Sequence, residues 1–435
     1  MARRRRHIPL NVFLNSRLVG RLNREASGAI DFQYDPSWLG WEHALPVSLS
    51  LPLREDRYIG ARVIAVFDNL LPDSDAIRRR IAERVHAQGT DAYSLLAVVG
   101  RDCVGALQFL PDGEEPGAAG MLEGKPVSDN DIAHILGDLA SAPLGLGEDQ
   151  DFRISIAGAQ EKTALLRWKD QWHKPAGTTA TTHILKPQIG QLPNGIDLSF
   201  SVENEFLCLK LTAALGLPSA NVAIEDFGGK RVLVVERFDR RWTRDNRLLR
   251  LPQEDCCQAL SVPPTLKYEA EGGPGIASIL NLLKASDDPD ADQALFLKAA
   301  IVFWLLGATD GHAKNFSVFL STGGRFRMTP LYDVISAQPS ADAGQIQRNK
   351  MKLAMAVGDK RHYVVDTVMP RHFLQTAARA GLGASVLEPI FDDIRVSTKS
   401  AIDEIKNSLP DGFPENVSAS IFRGFESRLQ RLTSS

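Results

Sequence analysis

Short runs of alternating apolar and polar residues fill the first part of the chain, which is the pattern of half-buried β-strands. The apolar positions of these runs are Val12, Leu14, Leu18, Val19, Ile30, Phe32 and Tyr34. A helix is expected from about Asp73, with Asp73 or Ser74 as its cap. A further strand is expected from Gly105 to Leu110, before a loop rich in Pro, Gly and Glu. The pattern predicts a strand-rich N-terminal subdomain of residues 1–115.

A helix is expected next, and strands return between about residues 150 and 252 with one long helix among them. The sequence Ser128-x-x-Asp131 predicts a helix start, because each side chain can satisfy a backbone amide of the other residue. The amphipathic run from Ser201 to Leu215 predicts the second helix, which Gly216 ends. Strands are expected at residues 154–156, 163–168, 183–186 and 232–235.

Beyond Leu251 the apolar spacing is almost wholly helical and is interrupted only by a short hairpin over residues 316–329. The predicted fold is therefore α+β, with two lobes like those of a protein kinase. Its parts are an extra strand-rich N-terminal subdomain (1–115), a sheet-rich N-terminal lobe (116–252) and a mostly helical C-terminal lobe (253–435). A cleft is expected between the two lobes.

The composition of the 435 residues, 44% hydrophobic and 24% charged, is that of a soluble globular protein. A net charge of -3 means that any contact with nucleic acid has to come from a local patch. The four cysteines lack C-x-x-C spacing, so neither a disulfide framework nor a zinc site is indicated. The longest apolar run, Ala299 to Leu306, is too short to span a bilayer, and Arg3 to Arg6 are expected to be a solvated tail. We expect a cytoplasmic protein without membrane contact.

Phosphoryl transfer is the chemistry indicated by residues 307–315 and by the aspartate that follows the hairpin. Asp310 lies five residues before Asn315, where its carboxylate can orient an attacking hydroxyl and accept its proton. The amide oxygen of Asn315 and the carboxylate of Asp333 are hard oxygen ligands of the kind that Mg²⁺ prefers. These residues predict an ATP-dependent protein kinase.

Residues 155–162 lie between two predicted strands and carry small side chains where a loop could approach phosphates. Backbone amides around Gly158 could hold the β- and γ-phosphates of a nucleotide. Taken alone this signal is weak, because a single glycine between two strands is usually part of an ordinary turn. Lys162-Thr163 resembles the end of a Walker A loop, but the upstream glycine spacing is absent.

Lys186 ends an apolar strand and is a candidate ligand of the α-phosphate, paired with Glu205 or Glu203 of the next helix. A lysine that reaches solvent at a strand end explains the local pattern as well. Where the lobes should join, backbone groups of Glu236 and Phe238 could bind an adenine edge, although a charged loop is the simpler explanation.

His312 lies two residues after Asp310 and could organise that loop or contact a phosphate, although a lone histidine is more often structural. The other eight histidines show no metal-ligand spacing.

Together these segments resemble the HipA toxin kinases of bacterial toxin–antitoxin modules over nearly the whole chain. The matching motifs are Ser155-Ile-Ala-Gly-Ala-Gln-Glu-Lys162, His183-Ile-Leu-Lys186, Val235-Glu-Arg-Phe-Asp-Arg-Arg241, Leu251-Pro-Gln-Glu-Asp255, Gly272-Gly-Pro-Gly275, Ala308-Thr-Asp-Gly-His-Ala-Lys-Asn315 and Tyr332-Asp333. Several motifs in this order are far more specific than any one of them. The spacing around Asp310 is also similar to the catalytic loop of phosphatidylinositol-type kinases.

The resemblance implies an enzyme that uses ATP and Mg²⁺ to phosphorylate serine or threonine on a protein. Asp310 would be the catalytic base, Asn315 and Asp333 the magnesium ligands, and Asp239 would hold the ribose. The residues implied in ATP binding are Ala157, Gly158, Ala159, Gln160, Glu161, Lys162, Lys186, Glu236, Arg237, Phe238, Asp239, His312, Lys314, Asn315 and Asp333. Ser155 is the family's autophosphorylation position. A phosphate there would compete with the nucleotide for the loop amides, so we expect it to displace the Gly158 loop and inactivate the enzyme.

The resemblance also implies partners. The best-known target in the family is glutamyl-tRNA synthetase, whose modification arrests growth and promotes persistence. A small helix-turn-helix antitoxin, HipB, restrains such kinases, and the pair binds operator DNA to repress its own transcription, which would place the complex at the nucleoid. Two other classes stay open: a catalytically silent kinase-like tether for antitoxin and DNA, and a small-molecule or lipid kinase.

Overall fold

The computed structural model describes residues 7–146 and 152–433, so the predicted tail at Arg3 to Arg6 lies outside the described residues. The first elements along the chain are β1 (Leu10–Leu14), β2 (Arg17–Arg24), β3 (Ile30–Tyr34), α1 (Pro36–Leu39), β4 (Tyr58–Ile59), α2 (Ala61–Asp68), α3 (Asp75–Arg84), α4 (Ala92–Val99) and β5 (Leu107–Pro111). The strands form one antiparallel sheet in the order β4-β3-β2-β1-β5.

The expected helix after Asp73 is α3, and its cap is Ser74, whose hydroxyl accepts a hydrogen bond from the amide of Ile77. Two further helices, α2 and α4, are not indicated by the sequence pattern. In α4 the apolar residues run consecutively because the helix is buried on several sides, so its helical periodicity is weak. In the short helix α2 the apolar Ile64 lies on the exposed side, which obscures the amphipathic pattern.

The second group comprises β6 (Gly124–Pro126), α5 (Asp129–Gly137), β7 (Thr163–Trp168), β8 (Gln171–Pro175), β9 (His183–Pro187), β10 (Gly190–Gln191), β11 (Asp197–Leu198), α6 (Ser201–Ala214), β12 (Val222–Phe227), β13 (Lys230–Glu236), β14 (Arg240–Trp242) and β15 (Leu248–Arg250). Six of these strands form a sheet in the order β12-β13-β9-β7-β8-β6. The predicted capping box of α5, between Ser128 and Asp131, is confirmed. The strand expected at residues 154–156 is wrong, because this extended segment joins no sheet.

The last group comprises β16 (Gln253–Asp255), α7 (Cys256–Ala259), α8 (Ile276–Leu283), α9 (Pro289–Leu306), β17 (Ser317–Ser321), β18 (Arg325–Met328), α10 (Gln338–Asp342), β19 (Lys352–Val357), β20 (His362–Val364), α11 (Pro370–Arg379), α12 (Ala384–Ser408) and α13 (Glu415–Thr433). The predicted hairpin is β17–β18, but the expectation of no other strands is wrong. β16 extends that hairpin into a three-stranded sheet, and β19 pairs with β20. β19 is buried along most of its length and therefore shows no polar alternation.

The fold is α+β with two lobes, as expected, and one hydrophobic core runs from the N-terminal sheet into the helical lobe. This core contains Val12, Phe32 and Phe67 from the N-terminal part, and Trp304 and Phe425 from α9 and α13. Burial of apolar area is the main stabilising term in folding. The N-terminal part is therefore packed into the body of the protein. Among the described residues, no helix is both long and apolar enough to cross a membrane.

A buried carboxyl group lies where β16 meets the N-terminal part. Glu254 is 1% exposed, and its Oε1 accepts a hydrogen bond of 2.7 Å from the amide of Leu49. Its second oxygen has no partner among the described residues. Burial raises the pKa of Glu254 to about 8, so the folded protein holds a proton that the unfolded chain releases near pH 4–5.

We predict that wild-type stability falls as the pH rises from about 5 to 8, and that Glu254→Gln removes this part of the fall. The amide keeps the bond to Leu49 but cannot ionise, so the variant should gain roughly 3 kcal/mol over the wild type at pH 8 and little at pH 5. Urea unfolding at both pH values measures the difference. Parallel stability curves for the two proteins would contradict the assignment.

Candidate active site

Lys186 joins both lobes through two ion pairs. It lies on β9, and its amine donates to Oε1 of Glu205 on α6 at 2.7 Å and to Oδ1 of Asp333 at 2.8 Å. The sequence leaves Glu205 and Glu203 open as partners, and in the structure Glu205 holds Lys186. Glu203 instead accepts hydrogen bonds from Arg231 and Gln188.

These ion pairs fix the charge states of the group. Burial alone would lower the pKa of Lys186, but Asp333 and Glu205 raise it above its ordinary value. Burial would raise the pKa of Asp333, but Lys186 and then Lys162 hold it below its ordinary value. Asp333 also has a left-handed backbone with φ of 59°. This conformation is unusual outside glycine, and strain of this kind often occurs at functional sites.

Asn315 lies beside Asp333, and the role of the two residues as ligands of one cation stays a prediction. Its side-chain Oδ1 accepts a hydrogen bond from the amide of His312 at 3.2 Å, and its Nδ2 lies 3.4 Å from Oδ2 of Asp333. The ionised carboxylate of Asp333 suits Mg²⁺, which binds few protein ligands and keeps others for water or phosphate. Asn315 turns its amide nitrogen rather than its oxygen toward Asp333, so its amide would have to rotate to serve as a second ligand.

Asp310 follows the end of α9, where Gly307 terminates the helix in a left-handed conformation. The side chain of Asp310 is 62% exposed. The hydroxyl of Tyr268 donates to its Oδ1 at 2.5 Å, a contact that sequence reasoning missed. The only sequence signal is that Tyr268 lies just before the Gly272–Gly275 motif. Gly273 of that motif is needed because a Cβ there would lie 2.0 Å from the carbonyl oxygen of Leu266.

His312 packs against Tyr268 in the interior of the protein. It is 4% exposed, and its ring packs edge-to-face on Tyr268 with 5.0 Å between centroids. Burial lowers its pKa to about 3, so the ring is neutral at pH 7. The neutral ring does not supply a cation for phosphate, and a role of His312 in organising the loop stays a prediction.

The loop expected to hold phosphates, residues 155–162 and here called the phosphate loop, is held mainly by the N-terminal part. Ser155 is fully buried, and its hydroxyl donates to the carbonyl of Leu70 at 2.8 Å. The carbonyl of Gly158 accepts from the amide of Asp73 at 3.1 Å. Gly158 has φ of 108°, and a Cβ there would lie 2.6 Å from the amine of Lys162. A side chain at Gly158 would therefore disrupt the loop.

The remaining side chains of this loop have protein partners. The amine of Lys162 donates to the carbonyl of Ala157 at 2.5 Å, and burial lowers the pKa of Lys162 to about 8. Gln160 donates to the carbonyl of Pro187, and Glu161 pairs with Arg80 of α3. Ala159 is exposed at the tip.

Of the residues expected near adenine, Glu236 is exposed and Phe238 is partly buried. The side chain of Glu236 is exposed and accepts a hydrogen bond from Asn221. Phe238 packs its ring against Phe319 and Tyr332. In the described part of the chain its backbone amide has no hydrogen-bond partner, so this amide is available to an external acceptor.

Arg237 and Asp239 instead lie inside a buried ion cluster. Asp239 is 3% exposed and accepts hydrogen bonds from the guanidinium of Arg237 and from the amide of Gly105 at 2.7 Å. Arg237 and Arg240 also contact Asp102. Both side chains, which were expected at the nucleotide, are occupied by ion pairs within the protein. The ribose contact of Asp239 stays a prediction, and this arrangement weighs against it.

Lys314, also expected to bind nucleotide, points to the N-terminal part. Its amine lies 2.6 Å from Oδ1 of Asp73, while Lys267 lies 2.8 Å from the other oxygen. Burial would raise the pKa of Asp73, but Lys314 and Lys267 lower it to about 2. The carboxylate is therefore ionised and bridges two lysines at neutral pH.

Two family models match most of the chain. A family model described as the HipA-like C-terminal domain matches residues 154–402, and one described as the HipA N-terminal domain matches residues 10–110. The "Putative kinase Y4mE" of Sinorhizobium fredii is 35% identical over 92% of this chain and 93% of its own length. The "Serine/threonine-protein kinase toxin HipA" of Shewanella oneidensis is 28% identical over 81% of this chain and 79% of its own.

A solved structure of the Shewanella oneidensis toxin–antitoxin complex, with HipA, HipB and operator DNA, also matches. The TM-score is 0.80 at 25% identity, covering 98% of this chain and 97% of the matched chain. The match extends through all three groups of elements described above.

We predict that Tyr268→Phe slows phosphate transfer roughly 10-fold to 100-fold, because Asp310 loses the hydroxyl that orients it. The affinity for ATP should stay unchanged, since no nucleotide-facing group is removed. Rates of transfer from labelled ATP and calorimetric titration with ATP measure the two effects. Tyr363→Phe is the matched control, because among the described residues its hydroxyl has a single hydrogen-bond partner, the exposed Arg361, which donates to it. A full rate in the Tyr268 variant would contradict a role for this contact.

Proposed function

The chain belongs to the HipA family of kinases, and from that premise we propose that it transfers the γ-phosphate of ATP to a serine or threonine of a protein. The observation that carries the proposal is the ion-paired group of Lys186, Glu205 and Asp333 beside Asp310 and Asn315. A strand lysine paired with a helix glutamate, next to a carboxylate for magnesium, is the arrangement of protein kinases.

Each residue has one task in this proposal. Asp310 accepts the proton of the acceptor hydroxyl, which its 62% exposed side chain can reach. Lys186 binds the α-phosphate, and Gly158 lets backbone amides approach the terminal phosphates. Asn315 and Asp333 would hold Mg²⁺, which would neutralise charge on the phosphates. The free amide of Phe238, with the carbonyl of Glu236, would bind the adenine edge.

Ser155 is proposed as an inhibitory autophosphorylation site. In the present loop conformation its hydroxyl is fully buried against Leu70, so it cannot reach any active site until the loop moves out. A phosphate there would add nearly two negative charges. Burying such charges without a partner costs free energy, so the phosphorylated loop would leave this buried position. Phospho-Ser155 would therefore keep the loop displaced and the enzyme inactive.

The toxin role and its partners are proposed from the relatives. The matching Shewanella structure contains HipB and operator DNA, so we propose a HipB-type antitoxin that neutralises this chain and a joint complex that represses its own transcription. The proposed target is glutamyl-tRNA synthetase, whose phosphorylation would arrest growth and promote persistence. The family resemblance supports this target, and the cytoplasm is where the enzyme would meet it.

We predict that the pure protein, incubated with Mg²⁺ and radiolabelled ATP, labels Ser155, and that Asp310→Asn lowers the rate about 10²-fold or more because the base is lost. Mass spectrometry locates the label. Asp411→Asn, another exposed aspartate, is the matched control and should label normally.

The outcome against this proposal would be equal labelling of wild type and Asp310→Asn, or an unphosphorylated wild type that fails to bind ATP. An intact mass taken beforehand identifies protein that already carries phosphate. If the labelled residue lies elsewhere and Asp310 is still required, the kinase chemistry holds and the Ser155 assignment falls.

A further inference from the structure

The turn between α2 and α3, residues 69–73 and here called the bridging segment, contacts the phosphate loop along its length. Pro72 and Gly158 form a parallel β-bridge, and the amide of Asp73 donates to the carbonyl of Gly158 at 3.1 Å. The carbonyl of Leu70 accepts the hydroxyl of Ser155. The bridging segment is part of the N-terminal subdomain, so the loop that would hold phosphates rests on that subdomain.

The bridging segment also contacts the loop of residues 310–315, here called the catalytic loop. The carboxylate of Asp73 pairs with Lys314 at 2.6 Å and with Lys267 at 2.8 Å. The amine of Lys314 reaches the carbonyl of Asn69 as well, at 3.3 Å. Lys314 precedes the metal-ligand candidate Asn315, and Lys267 precedes Tyr268, which bonds Asp310.

The bridging segment is itself held firmly in place. The side chain of Arg78 on α3 donates to the carbonyl of Pro72 at 2.5 Å and pairs with Asp68 at the end of α2 at 2.6 Å. The side-chain amide of Asn69 donates a hydrogen bond to the carbonyl of Val262 at 2.9 Å. A rigid support with contacts on both sides can set the distance between the two loops.

We infer that Asp73 is a positioning residue for phosphate transfer, which fixes the catalytic loop relative to the phosphate loop and makes the N-terminal subdomain part of the kinase centre. This inference rests on the proposed roles of Asp310 and Asn315. Displacement of reacting groups by about 1 Å can cost roughly 10²-fold in rate, so one misplaced loop is enough to stop transfer.

The test is Asp73→Asn in the full chain, which keeps the shape of the side chain and removes its charge. We expect the rate of phosphate transfer to fall roughly 10-fold to 100-fold. The affinity for Mg·ATP should stay the same or increase, because two unneutralised lysines remain near the triphosphate. Asp91→Asn is the matched control, since Asp91 is an ion-paired aspartate of the same subdomain whose partner, Arg24, lies within that subdomain and which caps α4. Calorimetry, transfer rates and thermal unfolding are measured on all three proteins.

Two results would overturn the inference. One is an Asp73→Asn enzyme with wild-type rate. The other is a variant whose rate and ATP affinity fall together in proportion to its folded fraction, which indicates a structural role only. Wild-type protein without phosphate transfer would instead refute the proposed function.

A second variant keeps the test independent of folding. Asp73→Glu retains the charge on a longer side chain and should recover part of the rate lost in Asp73→Asn. Lys314→Met should cost less in the Asp73→Asn background than alone, because the two residues act through one contact. Additive losses, or no recovery with glutamate, would count against the inference.

Discussion

A buried lysine needs negatively charged partners, and the two partners of Lys186 come from parts of the chain that are distant from each other in sequence. Its side chain is 8% exposed, and leaving such a charge unpaired costs several kcal/mol. Glu205 comes from the helix behind the sheet, and Asp333 comes from the helical lobe. The ion pairs therefore fix the sheet, the helix and the second lobe at one point. They also leave Asp333 ionised beside Asn315, as the proposed magnesium site requires.

A second buried charge cluster sets the position of the N-terminal part. Asp102 pairs with Arg237, Arg240 and Arg250, which come from the end of β13 and from the hairpin that follows it. The carbonyl of Asp102 also accepts the amide of Ser155 at 3.0 Å. The phosphate loop therefore lies on a frame that the N-terminal part supplies, and the three parts of the chain form one working unit.

The sequence predicts those features that local spacing encodes. The loop from Asp310 to Asn315 and the strand ending at Lys186 follow directly from residue order, and the helix cap at Ser128 follows from a three-residue spacing. The contacts of Tyr268 with Asp310 and of Asp73 with Lys314 join residues 42 and 241 positions apart, and no local pattern encodes them. Burial of Arg237 and Asp239 was equally hidden, because a charged run after a strand looks like an exposed loop. Fully buried elements such as α4 and β19 lack the polar alternation that sequence reasoning depends on.

The most direct measurement is a crystal structure of the unphosphorylated protein with Mg²⁺ and a non-hydrolysable ATP analogue. The account predicts a magnesium ion bound by oxygens of Asp333 and Asn315 at about 2.1 Å, with the triphosphate between Lys186 and the amides around Gly158. The adenine edge should meet the backbone of Glu236 and Phe238. A nucleotide bound elsewhere, or a metal held by other residues while Asp333 and Asn315 keep their present contacts, would contradict the account.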